Sequence, residues 1–227
     1  MKILITGTSS GIGQNLAEDL LQQGQNIVGI SRNTVEFTGN YQHYNLDLKD
    51  LSEQHLKILA KEQADLDVLI LNAGYGEFKE LEQFSREQIF AMFQVNILSN
   101  ILLVKELLPK LRNRKNAKII FIGSEAAKRG AKKGTIYAAT KFALQGFAES
   151  LRQEVASSNL AVTIINPGMV KTKFYEKLFF APGKSVENSI KAADLSKIIN
   201  LTIALENNLV LDEINLSPMK KNIFFKK

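Results

Sequence analysis

Cysteine is absent from this chain of 227 residues, which excludes disulfides, thiol nucleophiles and thiolate metal sites. Histidine is nearly as scarce. His43 and His55 are the only two, no ligand cluster surrounds either, and both read as scaffold or surface residues, so no metal is expected. No apolar run approaches the ~18 residues of a membrane span. The opening Met1-Lys-Ile-Leu-Ile5 reaches Thr6-Gly7 too soon to be the apolar core of a signal peptide. The expectation is a cytoplasmic chain with no membrane span. Internal repeats, low-complexity stretches and interdomain linkers are missing too, so residues 1–227 are expected to form a single domain.

What is present is the composition of a globular protein, 45% hydrophobic and 23% charged. The net charge of +6 raises the question of nucleic acid. Its basic residues are scattered apart from 112–118, 128–133 and the tail 220–227, and none of these forms a nucleic-acid-binding module. A solvated basic surface is the reading, with no nucleic-acid partner.

Short apolar runs alternate with stretches of helical 3/4 spacing. Strands are predicted at 3–5, 27–30, 41–45, 66–71, 118–122, 161–165 and 209–216. Helices are predicted from Ile12 through Leu21, over 50–64 and 85–112, from Tyr137 through Val155, and over 194–205. This alternation predicts an α/β fold, a Rossmann-like doubly wound, three-layer arrangement around a mostly parallel seven-stranded sheet. The stretch 169–188 is less regular and suits a mobile lid. No element is assigned to the tail, where Phe224-Phe225 suits an interface or a disordered end.

Between the first strand and first helix lies Thr6-Gly7-Thr-Ser9-Ser10-Gly11-Ile12-Gly13. Strand, glycine-rich turn and helix form a cradle for a pyrophosphate: glycines admit close backbone approach, and the helix N-terminus supplies free N–H groups and positive dipole. The second strand ends at Ser31-Arg32-Asn33. An acid there would bind a ribose 2′-hydroxyl; Arg32, with Ser9 as a hydroxyl donor, suits a 2′-phosphate and favours NADP(H) over NAD(H). Asp47, beside Leu48, either accepts from the adenine amino group or caps the next helix. Asn72-Ala73-Gly74 either lets the cofactor lie on backbone or makes a turn. Asn96, beside an apolar stripe, is a satisfied core asparagine or part of a hydrogen-bond relay.

Tyr137 and Lys141 stand four apart on a predicted helix and so share a face. A cation there favours the phenolate, drawing a poor acid–base group with a pKa near ~10 towards the working range. Ser124, just past an apolar strand, is placed at the carboxyl edge of the sheet, where open α/β folds hold ligands. As a bare pair, Tyr-x-x-x-Lys is also what two exposed helix neighbours look like.

Taken in order, these motifs closely resemble the short-chain dehydrogenase/reductase family in its compact branch, over essentially the whole chain. The resemblance rests on Thr6-Gly7-x-x-x-Gly11-x-Gly13, Asn72-Ala73-Gly74, Asn96, Ser124, Tyr137-x-x-x-Lys141 and Pro167-Gly168. It implies hydride transfer between a nicotinamide and a carbonyl or alcohol carbon. Tyr137 would be the general acid/base and Ser124 the hydrogen bond to the reacting oxygen. Lys141 would lie on the nicotinamide ribose, Asn96 would hold a relay water, and Val170 and Thr172 would lie near the carboxamide. Asp47 and the Leu48 backbone would then lie at the adenine, and the chain would form a homodimer or homotetramer. The aromatic residues of 174–180 suggest a partly hydrophobic small-molecule substrate. Two alternatives are a 3-oxoacyl-[acyl-carrier-protein] reductase, from the basic run 128–133, and a non-catalytic NADP(H)-sensing regulator.

Overall fold

The computed structural model describes residues 1–206 and 208–226. The chain begins β1 (Lys2–Thr6), α1 (Gly11–Gln22), β2 (Asn26–Ser31), β3 (Tyr41–Asn45), α2 (Glu53–Glu62) and β4 (Val68–Leu71). It continues with α3 (Arg86–Phe93), a π-helical turn (Gln94–Leu98), α4 (Ser99–Arg112), β5 (Ala117–Ile122), α5 (Thr135–Glu154) and β6 (Leu160–Pro167). Then come β7 (Val170–Lys171), β8 (Phe180–Pro182), β9 (Ile190–Lys191), α6 (Ala192–Ala204), β10 (Glu213–Leu216) and β11 (Ile223–Phe225).

Seven strands form one sheet in the order β10-β6-β5-β4-β1-β2-β3. Every pairing in it is parallel. Strands β4 and β5 are buried along their whole length, as a parallel strand covered on both faces must be. Alternate side chains serve opposite layers. Ile3 and Ile5 of β1 join Leu16 and Leu20 of α1 and Leu195 and Ile199 of α6 on one face. Leu4 joins Leu59 of α2, Leu103 and Leu107 of α4 and Leu144 of α5 on the other. The doubly wound, three-layer fold expected from the sequence is the one observed.

The differences from the predicted elements have local causes. The helix expected from residue 50 starts at Glu53, because Ser52 accepts from His55 N and the His55 ring accepts from Ser52 N. The strand expected from residue 66 starts at Val68. Ahead of it the Asp67 carboxylate accepts from Lys2 N at 2.9 Å and holds Arg114. The helix predicted over 85–112 is interrupted by the π turn, a register change that side-chain periodicity does not report. By length and apolarity the run Arg86–Arg112 would also suffice to cross a membrane. Here its Leu103, Val104, Leu107 and Leu111 are buried in the core. The tail, left without an element by the sequence, forms β11 on β8. Lys227 lies outside the described residues.

Lys118 is a buried cation inside β5. Its Nζ donates to Leu205 O at 2.9 Å, tying the end of α6 to the sheet, and burial lowers its pKa. Phe121 on the same strand is fully buried against Phe147 of α5, ring centroids 5.8 Å apart. Phe121→Ala is expected to cost about 3–5 kcal/mol in urea unfolding, whereas Ser52→Ala, removing an exposed cap at the start of α2, should cost about 1 kcal/mol. Equal losses would contradict this placement of the core.

Candidate active site

Strand order reverses between β1 and β4, and the loops leaving their carboxyl ends open a cleft of about 970 Å³. Of the residues singled out from the sequence, all but Gly13 and Asn96 line it.

At the first turn the chain takes left-handed conformations at Gly7 (φ 78°) and Gly11 (φ 61°), which a side chain would strain. Helix α1 follows with Ser10 at its N-cap. The Ser10 side chain makes no capping bond, and no acid stands in the first turn. The helix therefore presents N–H groups and positive dipole to the cleft. Gly13 sits behind this loop, where a Cβ would press on the Gly7 carbonyl and the Asn72 amide. Asn72 Nδ2 donates to Thr6 O at 2.9 Å, and the N–H groups of Asn72 and Ala73 both donate to Thr6 Oγ1 at 3.0 Å. Thr6 thus locks the loops after β1 and β4 together. This anion-seeking cradle, open to the cleft, fits a dinucleotide pyrophosphate.

At the far end, Arg32 is exposed on the cleft rim after β2. Its turn is braced from below. Ser31 Oγ donates to Asn33 O at 2.9 Å and lies 2.9 Å from His43 Nε2 on β3. Burial lowers the His43 pKa. Asp47 is not the cap of α2, a position Ser52 holds. Its Oδ1 accepts from Lys49 N at 3.0 Å, and the residue lines the cleft.

Tyr137 and Lys141 occupy the first turns of α5 at the opposite end, both buried, with Ser124 beyond the end of β5. Burial pushes the Tyr137 phenol up to about 12, opposed by a hydrogen bond with Ser124 and reinforced by the negative charge of Glu125. Burial also pulls the Lys141 ammonium down to about 8. Its Nζ donates to Ile122 O at 3.1 Å and lies 5.8 Å from the Tyr137 ring centroid. The lowering of the phenol expected from the helical spacing is not found in the protein alone, where burial raises it.

Ser124 is fixed by residues the sequence did not mark. Asn166 Oδ1 accepts from Ser124 N at 3.1 Å, and Asn166 Nδ2 donates to Gln145 Oε1 at 2.8 Å. Gln145 Nε2 in turn donates to Glu213 at 2.9 Å. Gly123 admits this contact, since a Cβ there would collide with the Asn166 side chain. Asn96, in the π turn, is fully buried behind the cleft wall. Its Oδ1 accepts from Tyr75 N at 3.0 Å, and its Nδ2 donates to Tyr75 O at 2.9 Å and Thr140 Oγ1 at 3.1 Å. The aromatic rings of Phe78 and Phe174 stand 5.2 and 6.0 Å from that of Tyr137.

A parallel sheet with its cleft at the switch point and a glycine-rich first turn defines a dinucleotide-binding α/β protein. The short chain dehydrogenase family model matches residues 1–181, and the chain belongs to this family of oxidoreductases. An uncharacterized oxidoreductase of Staphylococcus epidermidis is 28% identical over 225 residues, covering 95% of this chain and 96% of that one. The 3-oxoacyl-[acyl-carrier-protein] reductase of Buchnera aphidicola is 34% identical over 183 residues, 77% of this chain and 75% of the relative. Among solved structures, an alcohol dehydrogenase of Thermococcus sibiricus complexed with 5-hydroxy-NADP shares the fold with a TM-score of 0.84. It is 23% identical, and the match covers 97% of this chain and 98% of that one.

The buried ammonium has a consequence for stability. Lys141 titrates near 8 folded against 10.5 for the free side chain, so between these values the unfolded chain holds the extra proton and stability rises with pH. Lys141→Met removes this penalty. In cofactor-free protein at neutral pH it is expected to be more stable by up to about 3 kcal/mol. The gap should be full below pH 8 and close by pH 10.5. Urea unfolding across this range checks it; a variant less stable at every pH would contradict the desolvation argument.

Proposed function

We propose that this protein is an NADP(H)-dependent oxidoreductase that interconverts a carbonyl and a secondary alcohol on a partly apolar small molecule. One observation carries the reading: Ser124, Tyr137 and Lys141 converge at one end of a cleft whose other end has Arg32 and no acid after β2. A nicotinamide bound in the cleft supplies or accepts the hydride at the substrate carbon.

In reduction, Ser124 Oγ and the Tyr137 hydroxyl hold the substrate oxygen, and Tyr137 gives its proton to that oxygen as negative charge develops there. The high phenol pKa keeps this proton in place at neutral pH. Lys141 stabilises the phenolate left behind and orients the cofactor ribose. Asn96, its amide engaged with Tyr75 and Thr140, positions the wall behind Gly74 and the helix turn carrying Lys141. In oxidation the same proton returns to the phenolate. Arg32 pairs with the 2′-phosphate, Asp47 and Leu48 meet the adenine, and Thr172 and Val170 close over the nicotinamide end. Phe174, Tyr175 and Leu178 line the substrate side and favour an apolar group. Phe90, Leu98 and Phe142, exposed on α3, the π turn and α5, support a homodimer through these helices.

The acyl-carrier reading draws support from the 34% identical relative. Against it, Lys128 is paired with Glu213 at 2.7 Å and Lys133 with Glu80 at 3.7 Å, which takes charge from the surface a carrier would meet. Equal rates on carrier-bound and free acyl thioesters would dismiss it.

Fluorescence titration with both reduced cofactors and a carbonyl panel tests the proposal. Arg32→Ala is expected to weaken NADPH binding by about 10- to 100-fold, the loss of a charge-assisted contact, while NADH binding stays unchanged. Tyr137→Phe should abolish turnover and spare cofactor binding. Equal losses for both cofactors would refute Arg32 as the phosphate reader, and surviving activity in Tyr137→Phe would refute the proton transfer.

A further inference from the structure

Residues 219–226 leave the sheet after β10 and cross to the irregular segment that flanks the substrate end of the cleft. They hold it at several points. Lys220 N donates to Glu187 O at 2.9 Å, and its ammonium pairs with the Glu187 carboxylate at 2.5 Å. Lys221 Nζ lies 2.9 Å from the carboxylate of Glu125, the residue that follows Ser124. Strand β11 pairs antiparallel with β8, Phe224 opposite Ala181, and the ladder is extended by Gly183 N to Asn222 O at 2.9 Å and Lys226 N to Phe179 O at 2.8 Å. The Lys226 ammonium donates to two main-chain carbonyls, Tyr175 O and, at 2.9 Å, Glu176 O. Both belong to the turn that places Tyr175 in the cleft wall.

The side chains of this segment do little for the core. Ile223, Phe224 and Phe225 are 50%, 44% and 63% exposed, so three residues are ordered with little apolar burial in return. Their effect is directed inward instead. Phe225 stacks on Phe179, ring centroids 6.2 Å apart; Phe179 meets Phe180, Phe180 meets Phe78 at 4.9 Å, and Phe78 meets Tyr137 at 5.2 Å. A continuous aromatic path thus runs from the strap to the proposed proton donor. The residues matched by the family model end at 181, so the strap lies beyond them.

We infer that residues 219–226 are a positioning strap for the substrate lid at 174–182, with Lys226 its principal clasp, and that they set substrate affinity and range without touching cofactor or reacting atoms. The inference rests on the substrate end assigned under the proposed function. Short ladders with solvent-exposed side chains open at low free-energy cost, so a lid held this way yields when a clasp is removed while the remaining fold stays intact.

The test is Lys226→Ala beside Lys226→Arg, the latter restoring a cationic donor. Five quantities are read: hydrogen exchange of residues 174–182 in cofactor-free protein, NADPH affinity by fluorescence, thermal midpoint, and kcat and KM on a carbonyl panel. For Lys226→Ala, lid exchange is expected to speed up and KM to rise roughly ten-fold, most for the smallest carbonyls, which depend most on a closed wall. Turnover number, NADPH affinity and thermal midpoint stay at the parent values, and Lys226→Arg recovers the lid protection. Unchanged lid exchange in Lys226→Ala overturns the strap. So does a joint fall of midpoint, NADPH affinity and kcat, which would mark the contact as merely structural. If the parent protein turns over no carbonyl, the proposed function fails, and the exchange measurement still decides the strap.

Discussion

The constraint on which this structure turns is the burial of an ammonium and a phenol side by side at the carboxyl edge of a parallel sheet. Neither group is at ease there. Desolvation drives Lys141 towards its neutral form and Tyr137 firmly into its protonated one. A domain selected for stability alone would place apolar side chains at these positions of α5. The surrounding polar contacts make sense as compensation: the Ile122 carbonyl accepts a hydrogen bond from the ammonium, and the Ser124 hydroxyl takes part in the bond to the phenol.

The fold supplies what these groups need from its regular parts. Strand β5 ends where Ser124 must stand, and β6 delivers Asn166 alongside it to hold the Ser124 backbone. The chain Asn166, Gln145, Glu213 then ties β6, α5 and β10 together behind the site, so that the serine is referenced to three elements at once. At the other end, Thr6 joins the loops after β1 and β4 with a single hydroxyl, which keeps the phosphate cradle open at the point where the sheet reverses. On the proposed reading, rigid elements carry the chemistry and the irregular segment after Gly168 carries the substrate wall.

Much of this was legible in the sequence, because burial on both faces writes strands such as 66–71 and 118–122 as apolar runs. The glycine turn and the Tyr137–Lys141 spacing were likewise legible, since each imposes a residue type on a local geometry. Other features were hidden for identifiable reasons. The π turn at Gln94–Leu98 inserts into a helix without disturbing its apolar pattern. Thr6, Asn166 and Gln145 act across the sheet through contacts with no fixed sequence separation. The strap strand is short and exposed, so neither periodicity nor apolarity distinguishes it from a disordered tail. The direction of the phenol's pKa is not legible from spacing, because proximity to a cation is visible in sequence, whereas the depth at which both groups are buried is not.

The central claim is that Tyr137 is the proton donor and acceptor and that burial holds its proton in place. The most direct measurement is the pH dependence of turnover in both directions at saturating substrates. Reduction, which uses the phenol, should be flat across neutral pH. Oxidation, which uses the phenolate, should rise about ten-fold per pH unit through the neutral and into the alkaline range. A reduction rate that falls steeply across neutral pH, or an oxidation rate already level there, would contradict the account.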